Sequence, residues 1–271
     1  MQHEEISLTI DYSRAGLAGK GNPRLYTYLR SPSPEMAQTP RPAVIICPGG
    51  GYQMTSDREA EPIALCFLEQ GFQCFVLRYS VAGQVLFPGP QLELAGAVAL
   101  VRRRAAEWMV DPDRIVVCGF SAGGHLAGSL GMLWNRELLT VPLGLHSADI
   151  RPNGLILSYP VITTGEFAHR ASFESLLGDR AAEYSKLVSL EKQVSKDTPP
   201  VFLWHTWDDD CVPVENSLLL AQALRRHNIP LELHILPHGI HGLALATAET
   251  NVVEEACADW PVWASRWIRN L

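Results

Sequence analysis

Residues 114–127 read Arg114-Ile115-Val116-Val117-Cys118-Gly119-Phe120-Ser121-Ala122-Gly123-Gly124-His125-Leu126-Ala127, and the reading of this stretch decides the fold. Its first part is an apolar run that predicts a strand. Its second part leads into Leu126, Leu130 and Leu133, whose three- and four-residue spacing predicts a helix. Between them lies Gly-x-Ser-x-Gly, so strand, sharp turn and helix follow one another directly, the context of a nucleophile elbow. The turn presses the strand end against the helix start, so the positions two before and two after the serine must be small. Gly119 and Gly123 meet that need. The Ser121 hydroxyl would project above the sheet edge, close to the free N–H groups and positive dipole end of the helix.

Outward from the elbow, strands and helices alternate, which predicts a mostly parallel sheet flanked by helices. Residues 5–12 and 24–30 alternate apolar and polar and predict an antiparallel start to that sheet. Residues 43–47, 73–79, 155–158, 201–205 and 231–236 read as further strands. Helices fit 57–70, 91–109, 214–227 and 252–269, and Asp111-Pro112-Asp113 reads as a turn into the elbow strand. Residues 161–198 break the rhythm. They read as an insertion over the C-terminal edge of the sheet, a lid over the place where open α/β folds bind ligands. A single domain over 1–271 is expected, since no Pro/Gly/Ser linker separates two compositions.

A serine hydroxyl near neutral pH needs a base, and the base an orienting carboxylate. Downstream, a carboxylate is offered by Trp204-His205-Thr206-Trp207-Asp208-Asp209-Asp210-Cys211-Val212-Pro213 at a strand end. Asp209 is selected because Asp-x-x-Val-Pro matches a recurrent acid loop; Asp208 is the alternative, and two of the three aspartates are expected to be solvated. Leu236-Pro237-His238-Gly239-Ile240-His241-Gly242 offers the base. His241 is selected, and His238 is read as structural or supporting. Upstream, Cys47-Pro48-Gly49-Gly50-Gly51-Tyr52 follows a strand, and its glycines let backbone N–H groups approach a reacting oxygen. Gly50 and Gly51, with Ala122 after the nucleophile, are assigned as oxyanion donors.

These motifs together resemble the α/β-hydrolase superfamily over nearly the whole chain. The glycine run looks like the His-Gly-Gly-Gly motif of hormone-sensitive-lipase-like esterases. Pro48 stands in place of the histidine, which leaves open how the loop is anchored. The set Pro48–Tyr52, Gly119–Ala127, Trp204-His205-Thr206 and Val212-Pro213 is similar to small bacterial acetyl-xylan-esterase-like carboxylesterases. That resemblance implies hydrolysis of small carboxylic esters, including acetylated saccharides, through a Ser121–His241–Asp209 triad, with no metal or organic cofactor. It does not imply glycosidic cleavage, which ordinarily uses a carboxylate pair across the sugar. Amide or formamide hydrolysis, or a small serine peptidase, is the alternative on the same fold; a non-catalytic binding protein is disfavoured because every triad member is present.

The other features are bounded in the same way. A net charge of −7 with one short basic run, Arg102-Arg103-Arg104, argues against a nucleic-acid partner. An acidic N-terminus without an apolar run argues against a signal peptide, and no run approaches membrane-spanning length, so a cytoplasmic protein without a membrane partner is expected. Cys47, Cys66, Cys74 and Cys118 sit in apolar runs, and none of the six cysteines forms C-x-x-C. Tyr52 and Trp207 are candidates to contact substrate, Trp207 by stacking on a sugar. Asp57 and Arg58 are either a polar-substrate site or a solvated helix start. His125 is read as supporting. Trp260, Trp263 and Trp267 form one helix face, in the core or in a homodimer interface.

Overall fold

A computed structural model of the protein describes residues 1–36 and 38–271. In chain order the elements are β1 (Glu5–Ser7), β2 (Arg24–Tyr28), β3 (Arg41–Cys47), α1 (Glu61–Glu69), β4 (Gln73–Arg78), α2 (Gly89–Arg103), β5 (Val110–Phe120) and α3 (Ala122–Leu133). After these come α4 (Glu137–Leu143), α5 (Ser147–Ile150), β6 (Gly154–Ser158), α6 (Arg170–Leu177), α7 (Ala181–Tyr184), β7 (Val201–Thr206), α8 (Glu215–Arg226), β8 (Leu231–Leu236) and α9 (Trp260–Arg269). The eight strands form one sheet in the order β1-β2-β4-β3-β5-β6-β7-β8. β1 and β2 join antiparallel at one end; from β4 to β8 every pairing is parallel.

The strand interiors are apolar without alternation because both faces are covered. Ile45, Leu77, Val117, Leu157 and Leu203 point to one side, where α2, α3 and α8 pack. Val44, Val76, Val116, Ile156 and Phe202 point to the other, where α1 and α9 pack. Parallel pairing also sets the position of chemistry: the turns leaving β3, β5, β7 and β8 all emerge at the same C-terminal edge.

Helix boundaries differ from the sequence reading for a common reason. α1 starts at Glu61 rather than 57, α2 at Gly89, and α9 at Trp260 rather than 252, each with a proline in its first turn. Proline lacks the N–H that the first turn leaves unpaired, so it is tolerated there and marks the start. α2 also ends at Arg103, before a turn in which Met109 adopts φ 51°. β1 stops at Ser7, ahead of a 3-10 turn over Tyr12–Ala15. Asp111-Pro112-Asp113 lies inside β5 rather than in a turn before it, opposite a register shift between Arg41 and Ala43.

Residues 161–198 carry α6 and α7. Phe173, Leu176, Leu177, Val188 and Leu190 are buried in the same cluster as α2 and α3. Asn216 of α8 fastens the segment's start, accepting from the Ile162 and Thr163 N–H groups and donating to the Phe167 carbonyl. Its contribution to the C-terminal edge is therefore a packed wall. The tryptophans of α9 face inward: Trp260 is buried, Trp263 stacks on His234 with ring centroids 4.7 Å apart, and Trp267 lies 6.0 Å from the Phe202 ring. Among the described residues no helix is long and apolar enough to cross a membrane.

Candidate active site

Ser121 sits between β5 and α3 with φ 52° and ψ −118°, a conformation that L-residues rarely adopt. The surrounding glycines explain how the turn tolerates it. A Cβ on Gly119 would run into the Gly123 carbonyl. One on Gly123 would meet the Cys47 carbonyl and come within 2.5 Å of the Pro48 oxygen. The elbow is pinned by its own backbone, since Ser121 N–H donates to the Ser158 carbonyl and the Ser121 carbonyl accepts from Val161 N–H.

The His241 imidazole lies over the serine, with Nε2 2.8 Å from Ser121 Oγ. Its Nδ1 is 2.7 Å from Asp209 Oδ2. The loops bearing these two residues leave adjacent strands β7 and β8 and are tied together. Trp207 N–H donates to the Leu236 carbonyl, and the Thr206 hydroxyl donates to the Gly239 carbonyl. The three aspartates divide their work over this loop. Asp208 accepts from Gly239 N–H and pairs with His238 at the surface, Asp209 holds the His241 ring, and Asp210 accepts from His241 N–H at 3.4 Å. As expected of two of the three, Asp208 and Asp210 are exposed; they also anchor the loop, and Asp208 does not reach His241.

Asp209 is buried with four donors around it. Cys211 and Val212 N–H groups reach Oδ1 at 2.9 and 2.8 Å, and the His241 and His205 rings reach Oδ2. Burial pushes its carboxyl pKa up, but the hydrogen bonds from His205 and His241 and the attraction of His241 outweigh that, and the net shift is well below the ordinary carboxylate range. It stays ionised and acceptor-only, so His241 must present Nδ1–H to it. Nε2 is left with a free lone pair facing Ser121.

His205 escaped the sequence reading. It is fully buried in β7, with Nε2 3.2 Å from Asp209 Oδ2 and 3.0 Å from the Val212 carbonyl and Nδ1 2.7 Å from Ser217 Oγ. Its position four residues before Asp209 was visible, but nothing local shows that a strand histidine turns toward the loop beyond it.

The glycine loop after β3 separates into an anchor and two open donors. Gly49 N–H donates to Glu59 Oε2 at 2.7 Å, and the Tyr79 hydroxyl donates to the Pro48 carbonyl at 2.7 Å. These contacts hold the loop, which has no histidine at residue 48. Gly50 and Gly51 have φ of +126° and +64°, and their N–H groups meet no acceptor among the described residues. Ala122, first residue of α3, has an N–H without an intrahelical partner. Gly50 and Gly51 line a cavity of about 560 Å³ with Ser121, His241, Met54, Arg58, Glu59 and His169.

Two substrate-contact candidates are placed elsewhere. Tyr52 is buried beneath the glycine loop, and its hydroxyl donates to His125 Nδ1 at 2.8 Å, so it packs inward rather than lining an acyl pocket. His125 Nε2–H donates to the Val188 carbonyl at 2.8 Å, and burial depresses its pKa to about 4. It supports the site as a neutral spacer between the glycine loop and the 161–198 segment. Trp207 is 63% exposed and lies outside the cavity lining. Asp57 and Arg58 both line the cavity, and Asp57 also pairs with Arg78 at 2.6 Å.

A serine on a strained strand–helix turn, a histidine and a buried aspartate in chain order Ser…Asp…His, above an eight-stranded sheet, define the chain as an α/β-hydrolase. It belongs to the BD-FAE family, whose model matches residues 32–224. A crystal structure of an acetyl ester-xyloside bifunctional hydrolase from Caldicellulosiruptor lactoaceticus is 38% identical and superposes with a TM-score of 0.85 over 98% of this chain and 96% of that one. The endo-1,4-beta-xylanase B of Butyrivibrio fibrisolvens is 40% identical over 84% of this chain, and the acetylxylan esterase of Xylanibacter ruminicola 32% identical over 76%. This chain spans only 35% and 42% of the lengths of those two relatives.

Proposed function

We propose that this protein is a serine-dependent carboxylic ester hydrolase acting on small acyl esters, acetylated saccharides among them. The observation that carries the reading is the continuous hydrogen-bonded line from Asp209 through His241 to Ser121 Oγ, which opens on a cavity lined by two glycines whose N–H groups meet no acceptor among the described residues. The Ser121 proton passes to His241 Nε2 as Oγ bonds to the ester carbonyl carbon. The charge that develops on the carbonyl oxygen is received by Gly50, Gly51 and Ala122 N–H groups, donors of a kind worth about 2.7–4 kcal/mol each in the transition state. The tetrahedral intermediate collapses, the C–O bond to the alcohol breaks, and His241 returns the proton to the leaving oxygen. Water then gives a proton to His241 and attacks acyl-Ser121; the acid departs and the proton returns to Ser121. Similarity to an acetylxylan esterase favours acetyl groups on a saccharide as the substrate class.

The test is hydrolysis of p-nitrophenyl esters of increasing acyl length, alongside acetylated xylo-oligosaccharides, by wild type and Ser121→Ala. Activity that peaks at acetate, extends to the oligosaccharides and disappears with Ser121→Ala is expected. Ser121 labelled by a fluorophosphonate without ester turnover would redirect the reading to amides and formamides; activity retained in Ser121→Ala would overturn it.

A further inference from the structure

The carboxyl of Glu59 stands in the catalytic cavity and takes no part in the proton transfers described above. It is 3% exposed, just ahead of α1. Oε2 accepts from Gly49 N–H at 2.7 Å, and Oε1 accepts from the Tyr159 hydroxyl at 2.8 Å. The Tyr159 oxygen in turn accepts from Ala244 N–H at 2.9 Å, three residues past His241. The Tyr159 ring meets the His241 ring edge-on, centroids 5.1 Å apart at 71°. Tyr159 holds this place with φ 37°, directly after β6. At Gly49 the fit is close: a Cβ there would lie 2.8 Å from Glu59 Oε2 and 3.0 Å from Ser121 Cβ.

One buried carboxyl therefore joins the loop that carries the oxyanion donors to the loop that carries the base. A simple anchor could have been a neutral side chain. A buried carboxyl is costly unless hydrogen-bonded; burial raises the pKa of this one, the hydrogen bonds from Tyr159 and Gly49 N–H oppose that, and each oxygen has one donor, each on a different half of the site. We propose that Glu59 is a positioning residue, acting through Gly49 N–H and through Tyr159 to fix Gly50 and Gly51 relative to His241. The inference rests on the serine-hydrolase reading. Its own consequence is narrower: the tetrahedral state, which engages both loops at once, depends on Glu59 more than ground-state substrate does.

The experiment uses the full chain as wild type, Ser121→Ala, Glu59→Gln, Tyr159→Phe and the double variant. Turnover of p-nitrophenyl acetate is expressed per site titrated with a fluorophosphonate, and the affinity of phenylboronic acid reports the tetrahedral adduct on Ser121. A glutamine cannot accept from both Gly49 N–H and the Tyr159 hydroxyl. Glu59→Gln is expected to lose about 30-fold in kcat with KM within about threefold, and to weaken the boronate by a similar factor. Tyr159→Phe is expected to lose about tenfold, and the double variant little more than Glu59→Gln alone, because the two act along one path. Unchanged kcat and boronate affinity per titrated site in Glu59→Gln, with only a lower melting temperature, would make Glu59 merely structural and overturn the inference. If Glu59→Gln does not fold, unchanged kcat in Tyr159→Phe overturns it equally. Persistence of turnover in Ser121→Ala would overturn the hydrolase reading itself, and the inference with it.

Discussion

Substituting Asp209 by asparagine tests the catalytic assignment most sharply, because the outcome can be worked out atom by atom. The new amide nitrogen must replace one of the two carboxylate oxygens. In place of Oδ1 it would face the exposed Cys211 N–H and the part-buried Val212 N–H, donor against donor. Water can satisfy the Cys211 N–H, but the Val212 N–H and the amide's own hydrogens are left without acceptors, and at about 1–3 kcal/mol per unsatisfied group that orientation costs roughly 2–6 kcal/mol. In place of Oδ2 it faces His205 and His241 instead. His205 has another acceptor, the Val212 carbonyl at 3.0 Å, and loses little. His241 adapts by moving its proton from Nδ1 to Nε2. The second orientation therefore prevails, and it directs an N–H rather than a lone pair at Ser121. Asp209→Asn should lower kcat on p-nitrophenyl acetate by about 10⁴-fold, the loss typical of triad aspartates and equivalent to about 5 kcal/mol in the barrier. The thermal midpoint should fall modestly, by about 1–3 kcal/mol of stability, because the second amide hydrogen faces the buried His205 Nε2–H and finds no acceptor. Asp208→Asn, which touches only His238 and Gly239, should stay within about threefold of wild type. A turnover for Asp209→Asn within tenfold of wild type, or an equal collapse in Asp208→Asn, would refute the assignment.

Further expectations follow from groups around the triad. His125 is held neutral by burial, with its pKa lowered to about 4 against about 6.5 in the unfolded chain, so the unfolded state binds more protons between those values. The stability it contributes is whole above pH 6.5 and is lost as pH falls towards 4, by about 3 kcal/mol in all. Urea unfolding at pH 7 and pH 4.5 should show a smaller acid loss in His125→Gln than in wild type, and equal losses would contradict this. Gly123→Ala should destabilise by about 1–3 kcal/mol and reduce turnover, because its methyl group displaces the Cys47–Pro48 backbone that carries the glycine loop; denaturant midpoints and kcat on the same preparation check both. Trp207→Ala should leave p-nitrophenyl acetate kinetics within twofold, given its exposed position outside the cavity; a larger loss would place it against substrate.

The parts of the fold that sequence could reveal are those governed by local chemistry. The doubly covered strands, Ala43–Cys47 and Val201–His205 among them, show as unbroken apolar runs and recur within one or two residues in the sheet. Helix starts were harder. Periodicity extends backward through Asp57–Ala60 and through residues 252–259, yet Pro62 and Pro261 set the real beginnings of α1 and α9. Periodicity reports which face is apolar, whereas a start depends on which N–H groups can go without an acceptor. The segment 161–198 shows the same limit on a larger scale. Its irregular rhythm reveals a departure from βα alternation, but that Phe173, Val188 and Leu190 are packed with α2 and α3 is a tertiary fact.

Within the site, the legible residues are those whose function demands a backbone form. Ser121 needs small neighbours on both sides, Gly50 and Gly51 need positive φ, and Asp209 and His241 need loops directly after strands; each requirement leaves a mark in adjacent residues. Glu59, Tyr159 and His205 answer to a different requirement, the pairing of buried polar groups. Their partners lie 10, 100, 85, 12 and 4 residues away, too varied to make a motif. Tyr52 shows the converse: its place after the glycines suggests a pocket wall, while its hydroxyl is claimed by His125, 73 residues on. A buried hydroxyl or carboxyl goes where its hydrogen bond can be made, whatever its neighbours in sequence suggest. By that logic the unread polar residues of this chain are where the precision of the site resides. Asp209 can be buried and charged because four donors converge on it; the Glu59 carboxyl, whose pKa burial raises, is held by two. In each case at least one donor comes from a loop that must be held in place for Ser121 to react.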